Sequence, residues 1–275
     1  MNSELAGPGG ASRDPLASFR DPAGTVFTTE GRIFRAVRPD GLDDLTAFLS
    51  STAGQGAAGA GQVVRTDEVP SSDAERLLDA QGLAAGAWKL FEHERIPFPS
   101  YPYEWAPEML HAAGVLTLDL ALGLLEEGLG VKDGTPYNVL FRGPDPVFVD
   151  VLSFERRDPL DPTWLPYAQF ARTFLLPLLA VKHFGLGLDQ LLLARRDGLE
   201  PEDVYRWAGR FQRLKPPFLS LVSMPTWLAS RHDQDDASLY RKRSAGSEEK
   251  AKFIVGTLLR RLRRTLGRLE PGQGQ

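Results

Sequence analysis

The sequence contains no cysteine, so disulfides, thiolate zinc sites and cysteine nucleophiles are excluded, and a reducing compartment is permitted. Histidine is scarce: His93, His111, His183 and His232 show no paired metal-ligand spacing, which makes each a structural residue by expectation. No Gly-x-Ser-x-Gly elbow occurs, so no serine-hydrolase reading is supported. The apolar run "FLLPLLAV" (174 to 181) is too short to span a bilayer and ends at Lys182. The first residues, "MNSELAGPGGASRDPL", offer acidic, Gly and Pro residues where a secretory signal has a basic segment and an apolar run. The expectation is a cytoplasmic protein with no membrane partner.

What is present is ordinary for a folded chain: 275 residues, 42% hydrophobic and 25% charged, enough for one large or two modest domains. Charge is unevenly spread. The net value is −4, yet Arg241 to Arg268 holds ten basic residues against two glutamates, a balance of +8. The remainder, 22 basic against 34 acidic, carries −12, and such an acidic body argues against nucleic acid as a partner.

Along the chain, residues 1 to 18 are rich in Gly, Ala, Ser and Pro and lack periodicity, which predicts a disordered arm. "GTVFTTEGRIFRAV" (24 to 37) reads as a hairpin turning at Thr29-Glu30-Gly31. A short helix over 41 to 51, a strand over 61 to 69 and a helix opening at 73 follow. The prolines of "RIPFPSYPYEW" then forbid a helix. From Ala106 the texture becomes helical: "APEMLHAAGVLTLDLALGLLEEG" has Pro in its first turn, an apolar body and Gly at its end. "WLPYAQFARTFLLPLLAVKHFG", "GLDQLLLARRDG", "PEDVYRWAGRFQRL" and "SEEKAKFIVGTLLRRLRRTLGRL" share that spacing. In the last, Ala251, Ile254, Val255, Leu258, Leu259, Leu262, Leu266 and Leu269 fall on one face, most simply packed on the chain's own helices. The predicted class is α+β: a strand-rich part over 19 to 100 and a helical part over 101 to 270.

One stretch carries chemistry. "VKDGTPYNVLFRGPDPVFVDVLSF" (131 to 154) sets Asp133 and Asn138 in a loop and Asp150 at the end of an apolar strand. Phosphoryl transfer needs hard oxygen ligands to hold Mg²⁺ over phosphates, and one carboxylate to accept a proton from the attacking hydroxyl. Asp133 suits the carboxylate role, and Asn138 with Asp150 suits the metal. The alternative is a loop in which Asp133 and Asn138 cap turns and Asp150 caps the next helix.

"KDGTPYN" and "VFVD" resemble the catalytic loop and metal-binding aspartate of the protein-kinase-like fold, in its aminoglycoside-phosphotransferase style. More closely, "SYPYEWAPEML", "AAGVLTLDLALGLLEEGLGVKDGTPYNVLF", "PVFVDVLSFE" and "YAQF" resemble the N-terminal region of bacterial class I SAM-dependent methyltransferase and nodulation-related proteins, in which a methyltransferase domain follows. The resemblance implies a two-lobe fold with a small strand-rich N-lobe and a larger helical C-lobe, ATP and Mg²⁺ as cofactors, and a phosphotransferase activity. It implies as alternatives a non-catalytic kinase-like module partnering a separately encoded methyltransferase, or methyl transfer itself. Departures stand beside it. Val131 and Lys132 occupy the places usually held by His and Arg or Gly. Only "DPAG", ending at Gly24, could cover phosphates, and Arg35 stands where the third-strand lysine is expected. Arginine, with its permanent charge and rigid fork, can still clamp phosphate.

Two other stretches carry motif-like patterns. "GQGAAGAG" (54 to 61) is a formal Gly-x-Gly-x-x-Gly, but it follows a helix and precedes a strand, the reverse of a dinucleotide-binding turn, and so reads as a flexible loop. "SYPYEW" could line a nucleotide with Glu104 as its polar residue, or simply pack aromatics between the two parts.

Overall fold

The computed structural model describes residues 12–13, 24–84, 86–229 and 244–272. It divides into two compact units, Met1–Pro97 and Phe98–Gln275. Most of the N-terminal arm, the 14–23 segment with most of "DPAG", and His232 lie outside the described residues.

The first unit is built on a five-stranded antiparallel sheet. Its strands are β1 (Ser12–Arg13), β2 (Gly24–Thr29), β3 (Arg32–Val37), β4 (Thr66–Glu68) and β5 (Lys89–His93), in the order β1-β2-β3-β5-β4. β1 corrects the expectation of an unstructured arm at Ser12 and Arg13, whose backbone pairs with Thr28 and Phe27. β2 and β3 form the expected hairpin, and both turn residues are left-handed, Glu30 at φ 51° and Gly31 at φ 75°. A two-residue turn of this hand matches the strand twist, so the glutamate takes a conformation that glycine takes freely. β4 is shorter than the strand expected over 61 to 69.

Helices α1 (Pro39–Ser50), α2 (Thr52–Gly59) and α3 (Ser71–Ala80) complete the unit. Phe27, Phe34, Ala36, Val69, Leu78 and Leu90 share a core, with Phe27 and Phe34 stacked at 5.6 Å. α2 overturns the loop expected for "GQGAAGAG". The Ser51 hydroxyl caps it by accepting from the Gly54 N–H at 2.9 Å. A Cβ at Gly54 would lie 2.2 Å from the Phe48 carbonyl oxygen, so this glycine permits a close α1–α2 junction.

The second unit is mainly helical. α4 (Pro107–Leu125) is long and apolar enough to cross a membrane by length and composition, and it packs instead on protein: Leu110, Ala113, Leu116, Leu118, Leu120, Ala121 and Leu124 are buried. Four short strands follow: β6 (Leu129–Val131), β7 (Val139–Arg142), β8 (Asp145–Phe148) and β9 (Phe154–Arg156). β7 pairs with β8 as a hairpin, and β6 pairs with β9. α5 (Tyr167–Phe170) runs through a wide π turn (Ala171–Leu175) into α6 (Leu176–Phe184). α7 (Leu188–Ala194), α8 (Pro201–Trp207), α9 (Met224–Ala229) and α10 (Glu248–Arg268) complete the unit.

α10 lies on α4, as its amphipathic pattern predicts. Ala251, Val255, Gly256, Leu259, Leu262 and Leu266 are buried, while Arg263 reaches Asp119 of α4 at 3.0 Å. Gly114 makes the approach close, since a Cβ there would meet Leu266 and Phe174 at 3.1 Å. Ile254 was expected on the buried stripe and is 38% exposed, because it lies at the edge of the strip that α4 covers.

Candidate functional site

Because β6 pairs with β9 and β7 with β8, the loop after β6 and the turn between β8 and β9 emerge side by side. Backbone bonds join them: the Lys132 N–H donates to the Ser153 carbonyl at 2.8 Å, and the Val149 N–H to the Asn138 carbonyl at 2.8 Å. Asp133, Asn138 and Asp150, separated by up to 17 positions in sequence, are gathered by this topology.

Side chains complete the link. The Asn138 Nδ2 donates both to the Asp133 carbonyl at 3.2 Å and to the Ser153 hydroxyl at 3.0 Å. Ser153 Oγ in turn donates to Asp150 Oδ2 at 2.6 Å. Asn138 is 9% exposed and Ser153 fully buried, whereas Asp133 and Asp150 are half-buried and keep an outward side. This bears on the capping alternative. The turn Pro136–Asn138 is capped by Thr135, whose hydroxyl accepts from the Tyr137 N–H, and the Asp150 side chain does not cap the turn Val151–Ser153 that it precedes.

The loop is braced from behind. Gly134 donates its N–H to Gln169 Oε1 at 2.8 Å, and the Thr173 hydroxyl, whose proton goes to the Gln169 carbonyl at 2.8 Å, lies 3.4 Å from the Gly134 carbonyl. A Cβ at Gly134 would sit 3.0 Å from Pro166 Cβ, so only glycine fits without displacing α5. The π turn that contains Thr173 also leaves the Arg172 carbonyl to accept from the Leu199 N–H at 2.9 Å. Below the loop, the Arg157 stem packs over Gly130, and its guanidinium donates to the Asp161 and Thr163 carbonyls at 3.0 Å. Burial lowers the Arg157 pKa from its ordinary value, opposed by Asp161, Glu155 and Asp158.

Other candidates are placed elsewhere. Glu104 belongs to the same unit, but its exposed carboxylate accepts from the Tyr101 N–H at 2.8 Å and closes its own turn, Pro102–Glu104. Around it the aromatics pack: Tyr101 stacks on Tyr103 at 5.9 Å, and buried Trp105 meets Phe141 edge-on at 5.0 Å. Gly24 and Arg35 belong to the first unit, where Gly24 opens β2 opposite Val37, and half-buried Arg35 stands between Val26 and Phe91.

The donor set suits a hard divalent cation shared with phosphate. Among the described residues no three His, Asp or Glu side chains form a ready-made metal cage. Mg²⁺ typically takes one or two carboxylates and draws its remaining ligands from phosphates and water, so Asp150 with the Asn138 amide could hold it. Sequence reasoning missed Ser153, Gln169 and Thr173. A serine between Leu152 and Phe154 was a usable signal, since a hydroxyl inside an apolar run must find a partner. Gln169 and Thr173 gave none, because their meeting with Gly134 spans 35 and 39 positions.

No family model matches the chain. Nodulation protein NoeA of Rhizobium meliloti (strain 1021) is 38% identical over 177 residues, covering 62% of this chain. The chain spans about a third of that relative's length, 34%. Among solved structures, that of vaccinia related kinase 3 aligns with a TM-score of 0.42 and 10% identity, over 97% of this chain and 92% of that one.

Proposed function

We propose that the second unit carries a kinase-type magnesium–nucleotide site and transfers phosphate to a hydroxyl of a small molecule or protein. The observation that supports this reading best is the continuous hydrogen-bonded path from the Asp133 carbonyl through Asn138 and Ser153 to Asp150. It turns one amide and one carboxylate into a rigid pair beside a second carboxylate. In this reading Asn138 and Asp150 hold Mg²⁺, and Asp133 orients the hydroxyl and accepts its proton. The bound nucleotide supplies the phosphoryl group. Arg35 of β3 and the backbone at Gly24 are candidate phosphate contacts by residue type in the first unit, and Glu104 of the second, already capping a turn, is the weakest member of the set.

The test is thermal. A ligand bound only by the folded state stabilises by about 2.7 kcal/mol at a hundredfold excess over its dissociation constant, so Mg·ATP is expected to raise the melting temperature and Asp150→Ala to abolish the rise. Asp133→Asn is expected to keep the rise while turnover falls by about 10² or more. A melting curve unchanged by ATP or GTP with Mg²⁺ or Mn²⁺ rules the site out.

One observation favours a second reading, a non-catalytic module that binds nucleotide and serves a partner such as a separately encoded SAM-dependent methyltransferase: β3 carries Arg35 and no lysine. Binding without turnover across hydroxyl acceptors is its signature. Direct methyl transfer rests on the resemblance alone, since the formal glycine motif lies in the helix Thr52–Gly59.

A further inference from the structure

We infer that Ser153 is the positioning residue that aims the oxygens of Asn138 and Asp150 at the cation, an inference that rests on the magnesium–nucleotide reading of these loops. A serine hydroxyl has one proton to give and lone pairs to receive with. That proton goes to Asp150 Oδ2, to which Ser153 Oγ donates at 2.6 Å. With its proton committed, Ser153 Oγ faces Asn138 as an acceptor and requires Nδ2 there, at 3.0 Å. The other amide hydrogen goes to the Asp133 carbonyl at 3.2 Å, a group that only accepts.

The direction of the whole path therefore follows from its two ends. Rotating the amide by half a turn would set its oxygen against a carbonyl and a lone pair together. Oδ1 of Asn138 is held away from both partners, as the atom left for a cation. Ser153 is itself fixed by its backbone, whose carbonyl accepts from Lys132 at 2.8 Å and whose N–H donates to the Asp150 carbonyl at 3.0 Å. Its side chain is fully buried, so bulk water does not stand in for it.

Groups that orient metal ligands typically change metal affinity 10- to 100-fold when removed. The experiment measures Mn²⁺ binding in the presence of ATP by electron paramagnetic resonance on the full chain. Ser153→Ala is expected to weaken Mn²⁺ by about tenfold or more. The control is Ser223→Ala, which removes an equally buried hydroxyl that donates to the Arg213 carbonyl at 2.7 Å and is expected to leave Mn²⁺ affinity unchanged. Ser153→Cys keeps the volume with a poorer donor, and is expected to fall between wild type and Ser153→Ala; it serves alone if the alanine variant does not fold. Wild-type affinity in both Ser153 variants overturns the positioning role and leaves the magnesium–nucleotide reading standing. Absence of Mn²⁺ binding by the wild type overturns both.

Discussion

The two units spend their buried polar side chains differently. In the first, Ser51 caps a helix and His93 meets Thr66 across the β4–β5 pair at 2.9 Å, so each serves a regular element nearby. In the second, Thr117, Asp203 and Ser223 likewise serve helices and turns nearby, but Asn138, Ser153 and Thr173 converge on one pair of loops. A ladder satisfies its own N–H and C=O groups, whereas irregular backbone inside a helical unit must be satisfied by side chains. The cost of an irregular loop is borne where its shape is used, which makes the 132–138 and 149–153 segments the place to look for function.

The comparison is broken most severely by removing α10. Its stripe of buried aliphatic residues, at about 1.5 to 3 kcal/mol each, contributes on the order of 10 kcal/mol, comparable with the net stability of a whole domain. A chain ending at Gly246 is expected to be insoluble, or soluble with its helical circular dichroism largely lost. A soluble form that melts like the full chain would mean that α4 does not depend on α10.

A pair of glycines sharpens it next. Gly31 at φ +75° has only the Arg95 guanidinium within 4 Å of a built Cβ, at 3.6 Å, whereas Gly198 at φ +88° would place a Cβ 2.2 Å from the Arg172 carbonyl oxygen. Gly31→Ala is expected to cost about 1 kcal/mol for the left-handed conformation alone. Gly198→Ala adds displacement of the π turn that braces Gly134, and is expected to cost about 3 kcal/mol or more. Urea midpoints measure both, and equal losses would mean that the π turn yields freely.

One source of acid sensitivity lies in the second unit. Burial pushes the His111 pKa below its ordinary value of about 6.5, with Arg263 and Lys182 adding to the effect and Glu270 and a Leu266 backbone bond opposing it. A group whose folded value is depressed is neutral when folded, so the unfolded chain takes up more protons. Stability is then fully present above about 6.5 and is lost as pH falls below it toward the folded value. His111→Leu is expected to flatten that limb in unfolding measured between pH 7.5 and 5.5, and an unchanged slope would assign the limb to other groups.

The smallest effect is expected at Arg32 of β3. Arg32 forms an exposed pair with Glu92 at 2.5 Å, of a kind that contributes little and is screened by salt. Arg32→Ala is expected to alter stability barely at all and ATP affinity not at all. Arg35, three positions on, points to the opposite face of the sheet. Arg35→Ala is expected to weaken ATP far more than adenosine, and the reverse assignment of the two variants would mean that Arg32 is the phosphate contact.

The elements that repeat were legible in the sequence alone. Periodicity and caps determine the β2–β3 hairpin, α4 with its Pro start, and the buried stripe of α10, because 2.0- and 3.6-residue periods and turn residues are local properties. Asp133, Asn138 and Asp150 are candidates by residue type and spacing, and the fold brings the loops that carry them together. What the sequence could not determine was how those residues are held. Tertiary structure decided that Thr135 caps the turn, that Ser153 joins Asn138 to Asp150, and that Gln169 and Thr173 brace Gly134 from a π turn. It also made "GQGAAGAG" a helix, through the Ser51 cap and a junction tight enough to require Gly54. The Ser51, Thr135 and Ser153–Asp150 contacts are local, but the bond from Asn138 to Ser153 spans 15 positions and the contacts of Gly134 with Gln169 and Thr173 span 35 and 39, so the full arrangement exists only after the chain has closed.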